Sequence, residues 1–110
     1  MELHYKTNKL KQLCEDPNCN VDLVKKYGSE VAKRLPQRIK ELKAFNNLQD
    51  VPTSPPQRRH KLMGNRNGQF AIMITSQYRL IFRQFDNSII IEDLRKIKEI
   101  EILEVSKHYE

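Results

Sequence analysis

The chain has 110 residues and a formal net charge of +6, from 20 Lys+Arg against 14 Asp+Glu. That length supports one domain with a modest core, expected over residues 1–110. The mean hydropathy of −0.72 and the lack of any long apolar run exclude a transmembrane helix, while the basic excess favours an anionic partner, most simply nucleic acid.

Residues 2–6 (ELHYK) read as a short strand with Leu3 and Tyr5 on one face. Asn8 is placed to cap a short helix carrying Leu10 and Leu13, which ends before Asp16-Pro17. Residues 21–27 (VDLVKKY) form two turns of helix and stop at Gly28, a natural C-terminal glycine. Ser29 then caps a longer helix over residues 30–46, with Glu30 in the first turn where the macrodipole favours an acid. Val31, Leu35, Ile39, Leu42 and Phe45 recur every three or four residues as one apolar stripe, and Lys33, Arg34, Arg38, Lys40 and Lys43 lie largely off it. Pro36 removes an amide donor inside this pattern and predicts a kink or break. The basic face of this helix is either solvated or lies against nucleic acid or an acidic segment.

Residues 46–57 contain Pro52, Pro55 and Pro56 and read as a loop poor in amide donors. After it comes the stretch from His60 to Arg83, HKLMGNRNGQFAIMITSQYRLIFR. Residues 64–68 (GNRNG) are turn chemistry, because glycine and asparagine tolerate positive φ. Residues 69–75 (QFAIMIT) and 78–85 (YRLIFRQF) are strand-like and flank a short corner, which predicts an antiparallel hairpin. No acidic residue lies between Arg58 and Phe85, so the hairpin is cationic throughout. Residues 86–88 predict a turn, 88–92 (SIIIE) a short buried strand, 93–98 a charged connection and 100–105 (IEILEV) a last strand. The apolar residues of that last segment do not alternate, which suits an interior strand buried on both faces. The whole order is α+β, with N-terminal helices packed on one face of a small, twisted, mostly antiparallel sheet. The other face is open to the hairpin's arginines.

Cys14 and Cys19 are the only cysteines, and the scattered His4, His60 and His108 do not complete a four-ligand set with them. Free thiols are expected, with no metal and no cofactor. Residues 1–9 carry no apolar run of the kind a secretion signal has, so a cytoplasmic location is expected, with no membrane partner.

No nucleotide-binding glycine loop and no Ser-His-Asp spacing is present. What remains is histidine, tyrosine and arginine on a basic surface. RNA can be cut by such groups alone. The 2′-hydroxyl attacks the adjacent phosphate, a base takes its proton, an acid protonates the leaving 5′-oxygen, and a cation stabilises the added charge. His60, His108, Tyr109, Arg66 and Arg79 suit that inventory. Each also has a structural reading: Arg79 as an exposed strand arginine, Arg66 as a solvated turn residue, His60 as a surface histidine.

The pattern H-x-L-x-G-x-R-x-G-x-[FW]-x-I is met by His60, Leu62, Gly64, Arg66, Gly68, Phe70 and Ile72, and is followed by Tyr78-Arg79-Leu80-Ile81-Phe82. It resembles the HigB-type toxins, the plasmid-maintenance killer branch of the RelE/ParE superfamily. Residues 5–13, 25–35 (KKYGSEVAKRL) and 100–105 resemble the same family, so nearly the whole chain is covered. The resemblance implies helices on a twisted antiparallel sheet with a basic concave face. It also implies the toxin of a type II toxin–antitoxin pair that cleaves mRNA in the ribosomal A site without a metal. The implied partners are a helix-turn-helix, HigA-like antitoxin and ribosome-bound mRNA, with higher-order assembly on operator DNA.

Carried over residue by residue, His60 matches the motif's active-site histidine and Arg79 the arginine at the scissile phosphate, while Arg66 matches an arginine with a phosphate or structural role. Arg58, Arg59, Lys61, Arg66, Arg83 and Lys107 are the RNA-binding candidates. The chain departs from the pattern at Met63, where many relatives have lysine, and at Lys107-His108-Tyr109, where the family end resembles D-Y-H. Ala71 and Met73 stand where RelE carries a lysine pair. The general base is therefore open, with His108 and Tyr109 as candidates. Two other activities fit the same fold: a non-catalytic member that binds only RNA or antitoxin, and a ParE-like poison of gyrase.

Overall fold

The computed structural model describes residues 1–86, 88–89 and 91–107. Strand β1 (Glu2–Tyr5) leads into helices α1 (Asn8–Glu15), α2 (Asn20–Tyr27) and α3 (Ser29–Ala44). A proline-bearing loop then reaches β2 (His60–Lys61), β3 (Gln69–Met73), β4 (Tyr78–Gln84) and β5 (Glu99–Lys107). The strands form one sheet in the order β1-β5-β4-β3-β2, in which β1 runs parallel to β5 and every other pairing is antiparallel.

The three helices cover one face of this sheet. Leu10 and Leu13 of α1, Leu23 of α2 and Val31, Leu35, Ile39 and Leu42 of α3 share a single buried cluster with Phe70, Ile72, Leu80, Phe82, Ile100 and Ile102. The α3 stripe explains why Pro36 does not end the helix, which is continuous from Ser29 to Ala44. Burying each of those four side chains is worth about 1.5–3 kcal/mol, which together outweighs the roughly 3 kcal/mol cost of an interior proline.

Several local expectations are corrected. The α1 cap is Thr7, whose Oγ1 accepts the Leu10 amide at 3.1 Å, and Asn8 is already helical. Ser29 is likewise inside α3, whose cap is Gly28 at φ 95°, and the helix ends at Ala44 with Phe45 extended. Arg38 is not on a solvated face: it is 4% exposed and packed inside the molecule. Residues 88–92 hold no strand among those described, and Ile89 is exposed; Asn87 and Ile90 lie outside the described residues.

β5 is interior by pairing but is not buried on both faces. A bulge pairs Phe82 with Ile102 and the preceding Ile81 with Glu104, leaving Leu103 as the extra residue. The side-chain phase shifts there, so Ile100, Ile102 and Val105 all pack toward the helices although their spacing is irregular.

Candidate active site

On the face away from the helices, the register sets out the site in rows. Met73 lies opposite Arg79, which lies opposite Ser106; His60 lies opposite Ala71, then Ile81, then Glu104; Gln69 lies opposite Arg83, then Glu101. Leu62, Ala71, Ile81 and Leu103 make a small apolar cluster beneath this face. His60 and Arg79 are thus two strands and two residues apart. Strand spacing near 4.8 Å and a rise near 3.4 Å put their Cα atoms about 12 Å apart.

At that end of the sheet is a cleft of about 380 Å³ lined by Arg58, Arg59, His60, Met73, Tyr78 and Arg79 together with Thr53, Pro55, Thr75 and Ser76. No acidic side chain lines it among the described residues. Four of the sequence candidates, Arg58, Arg59, His60 and Arg79, therefore meet in one place. Thr75 shapes the corner beside them, its Oγ1 accepting the amides of Gln77 (3.2 Å) and Tyr78 (3.1 Å).

The arginines differ in what already holds them. Arg59 donates from Nε to the Val51 carbonyl at 2.9 Å, and burial lowers its pKa. Arg79 is half-buried, its Nε is shut off from solvent, and its side chain makes no hydrogen bond or ion pair among the described residues. A buried donor without an acceptor costs about 1–3 kcal/mol. The charged groups that line the cleft are all cationic, so among the described residues no carboxylate is at hand to relieve this cost, and an anionic ligand would do so.

His60 has a defined proton arrangement. Its Nδ1 is 3.0 Å from the Arg58 carbonyl, and a carbonyl only accepts, so Nδ1 carries the hydrogen. In the neutral ring the Nε2 lone pair is then free to take a proton. Arg58 turns its carbonyl this way by adopting φ 51°, the only positive φ at a non-glycine residue among those described.

The other candidates are placed elsewhere. Arg66 donates to Glu104 at 2.8 Å and to Gln69 at 3.2 Å, and Arg83 binds Glu101 at 2.8 Å. Lys61 borders a different hollow with Arg83 and Gln84, and Lys107 borders a groove with Lys9, Lys26 and Tyr27. Met63, at the family's lysine position, is 84% exposed. His108 and Tyr109 lie outside the described residues. The sequence reading missed the wall formed by Met73, Thr75 and Tyr78; the Tyr78-Arg79 pair in the motif was the available signal for it.

A family model described as the RelE-like toxin of the type II toxin–antitoxin system HigB matches residues 3–107. The chain belongs to the HigB-like toxin family. Its fold is shared with a YoeB/ParE toxin from Agrobacterium tumefaciens, at a TM-score of 0.57 and 13% identity over 99% of this chain and 100% of that one. The toxin of a YoeB–YefM complex from Staphylococcus aureus is similar at 0.55 and 14% identity, covering 99% and 98% of the two chains. A copper-bound mutant toxin from Helicobacter pylori is similar at 0.54 and 18% identity, covering 98% and 94%. At such identities these likenesses concern the fold alone. No curated protein matches the sequence. Among the described residues, no helix of this HigB-like chain is long and apolar enough to cross a membrane.

Proposed function

We propose that this HigB-like toxin is a ribosome-dependent endoribonuclease that cuts mRNA without a metal and so arrests translation. The observation that carries the reading is the half-buried Arg79, without a side-chain partner among the described residues, in a cleft where Arg58, Arg59 and His60 meet and no described acid does. A phosphodiester supplies the missing acceptor, and a guanidinium matches two phosphate oxygens as charge builds on them. His60, with Nδ1 bonded to a carbonyl, presents Nε2 as the base toward a ribose 2′-hydroxyl. Protonation of the leaving 5′-oxygen is assigned to His108 or Tyr109. Arg58 and Arg59 bind the flanking phosphates, Lys61 and Lys107 extend the basic surface, and Arg66 and Arg83 stay on Glu104 and Glu101 and contribute little net charge. The cognate partner is a helix-turn-helix, HigA-like antitoxin that neutralises the toxin, acts with it on operator DNA and shares its cytoplasmic location; a YoeB toxin of the same fold has been seen with YefM.

Induced expression in bacteria tests this. The wild-type chain arrests growth and translation, co-expressed antitoxin relieves the arrest, and Arg79→Ala, His60→Ala and a chain lacking residues 107–110 fold but do not arrest. Growth unaffected by the wild-type chain would leave a binding-only protein. Arrest with DNA breaks and intact mRNA would make it a gyrase poison.

A further inference from the structure

We propose that Gln57, fixed by the Arg38–Glu41 pair on α3, is a positioning residue that sets the proton arrangement of His60. Arg38 and Gln57 are nearly inaccessible, at 4% and 7% exposure. Arg38 donates from Nη1 to both Glu41 carboxylate oxygens, at 3.2 and 3.1 Å, and from Nε to the Met73 carbonyl at 3.0 Å. Gln57 donates from Nε2 to Glu41 at 2.9 Å, and its own carbonyl accepts the Met73 amide at 2.7 Å. Residue 57 is therefore fixed by its side chain to α3 and by its main chain to the end of β3.

The residue that follows is Arg58, whose amide donates to the Ser54 carbonyl at 3.0 Å and whose carbonyl accepts from His60 Nδ1 at 3.0 Å. A positive φ at an arginine costs roughly 1–2 kcal/mol and persists only where the surroundings impose it. The Gln57 anchor on one side and the Ser54 contact on the other impose it here. Without the anchor the turn relaxes, the carbonyl swings away and His60 loses the acceptor that keeps its hydrogen on Nδ1.

Arg38 is buried while the Glu41 side chain is 32% exposed, and such a pair is a poor means of stabilising a fold, because desolvating the guanidinium offsets much of the attraction. Hydrophobic side chains at positions 38 and 41 would pack α3 as well. They would supply no donor to Met73 and no acceptor to Gln57, and so would not aim the Arg58 carbonyl. The charged groups facing His60 are Arg58, Arg59 and Arg79 across the cleft and Lys61 beside it, and none accepts a hydrogen bond in the carbonyl's place.

This proposal rests on His60 being the base of the reading above, and its first readout does not depend on cleavage. Imidazole 15N shifts report which ring nitrogen of neutral His60 carries hydrogen. The expected result is the Nδ1–H form in the wild-type chain and a shift toward Nε2–H in Gln57→Met, which fills the same space without the amide. Arg38→Lys keeps a charge opposite Glu41 but drops the donor to Met73, and gives an intermediate population; it serves if Gln57→Met does not fold. On programmed ribosomes, Gln57→Met lowers kcat tenfold or more with KM within twofold, as expected of a reacting group displaced by about an ångström. An Nε2–H wild-type ring, or an unchanged ring in a folded variant, overturns the proposal whether or not the chain cuts RNA. A changed ring with unchanged kcat overturns the positioning role.

Discussion

Arg79 differs from the other arginines of the hairpin in having no side-chain partner among the described residues. Arg66 and Arg83 belong to the same basic run, yet each is neutralised by a carboxylate of β5. On the proposed function, removing Arg79 deletes a transition-state contact and should lower cleavage by about 10²–10³-fold, the usual effect of losing one such donor. Arg66→Ala should change cleavage only a few-fold and stability by about 0–1 kcal/mol, as for a half-exposed ion pair. Single-turnover cutting rates with thermal melts check both; equal losses from the two substitutions would contradict the assignment. The sequence showed that the hairpin is cationic. It could not show which cations are free, because Glu101 and Glu104 lie 18 and 38 positions from their arginines and meet them only through the strand pairing of β3, β4 and β5. Away from the cleft, burial first and then the Glu15 charge push the Cys14 thiol up to about 12, while Cys19 is only half-buried. At pH 8 an alkylating reagent should modify Cys19 in the native protein and reach Cys14 only on unfolding, which mass spectrometry of the two peptides reads directly. Equal labelling of both would contradict the packing of α1.

At the scale of elements, periodicity located α3 and the hairpin because each buries a continuous stripe or face. Ends and caps were less legible. Thr7 and Asn8 are both good capping residues, and only the extended backbone of Thr7 decides between them. Thr7→Ala should cost about 1 kcal/mol in a urea titration and Asn8→Ala a few tenths at most. The reverse order would move the cap back to Asn8. The IEILEV segment misled for a definite reason: a one-residue bulge places two apolar residues in succession on a strand with one solvated face. Arg38 misled for another. It lies beside the α3 stripe in sequence, and its acceptors come from the Met73 carbonyl and Glu41, of which only the second is on the same helix.

At the scale of the molecule, β1 adds a parallel edge strand beside β5, and the five-stranded sheet leaves one face for the helices and one for the cleft. The α+β order and the covered face could be read from the chain, since both follow from counting helices and strands. The cleft could not, because its walls come from the proline-bearing loop, β3 and β4, and their meeting depends on register. Membership in the HigB-like family extends over almost the whole chain and leaves the chemistry to the residues of this cleft. The most direct test is primer extension on a defined mRNA in a translating extract, run with the wild-type chain, Arg79→Ala and Arg66→Ala. The expected cuts require ribosomes, vanish with Arg79→Ala and persist with Arg66→Ala. Intact mRNA with the wild-type chain, or undiminished cutting by Arg79→Ala, would contradict the proposed function.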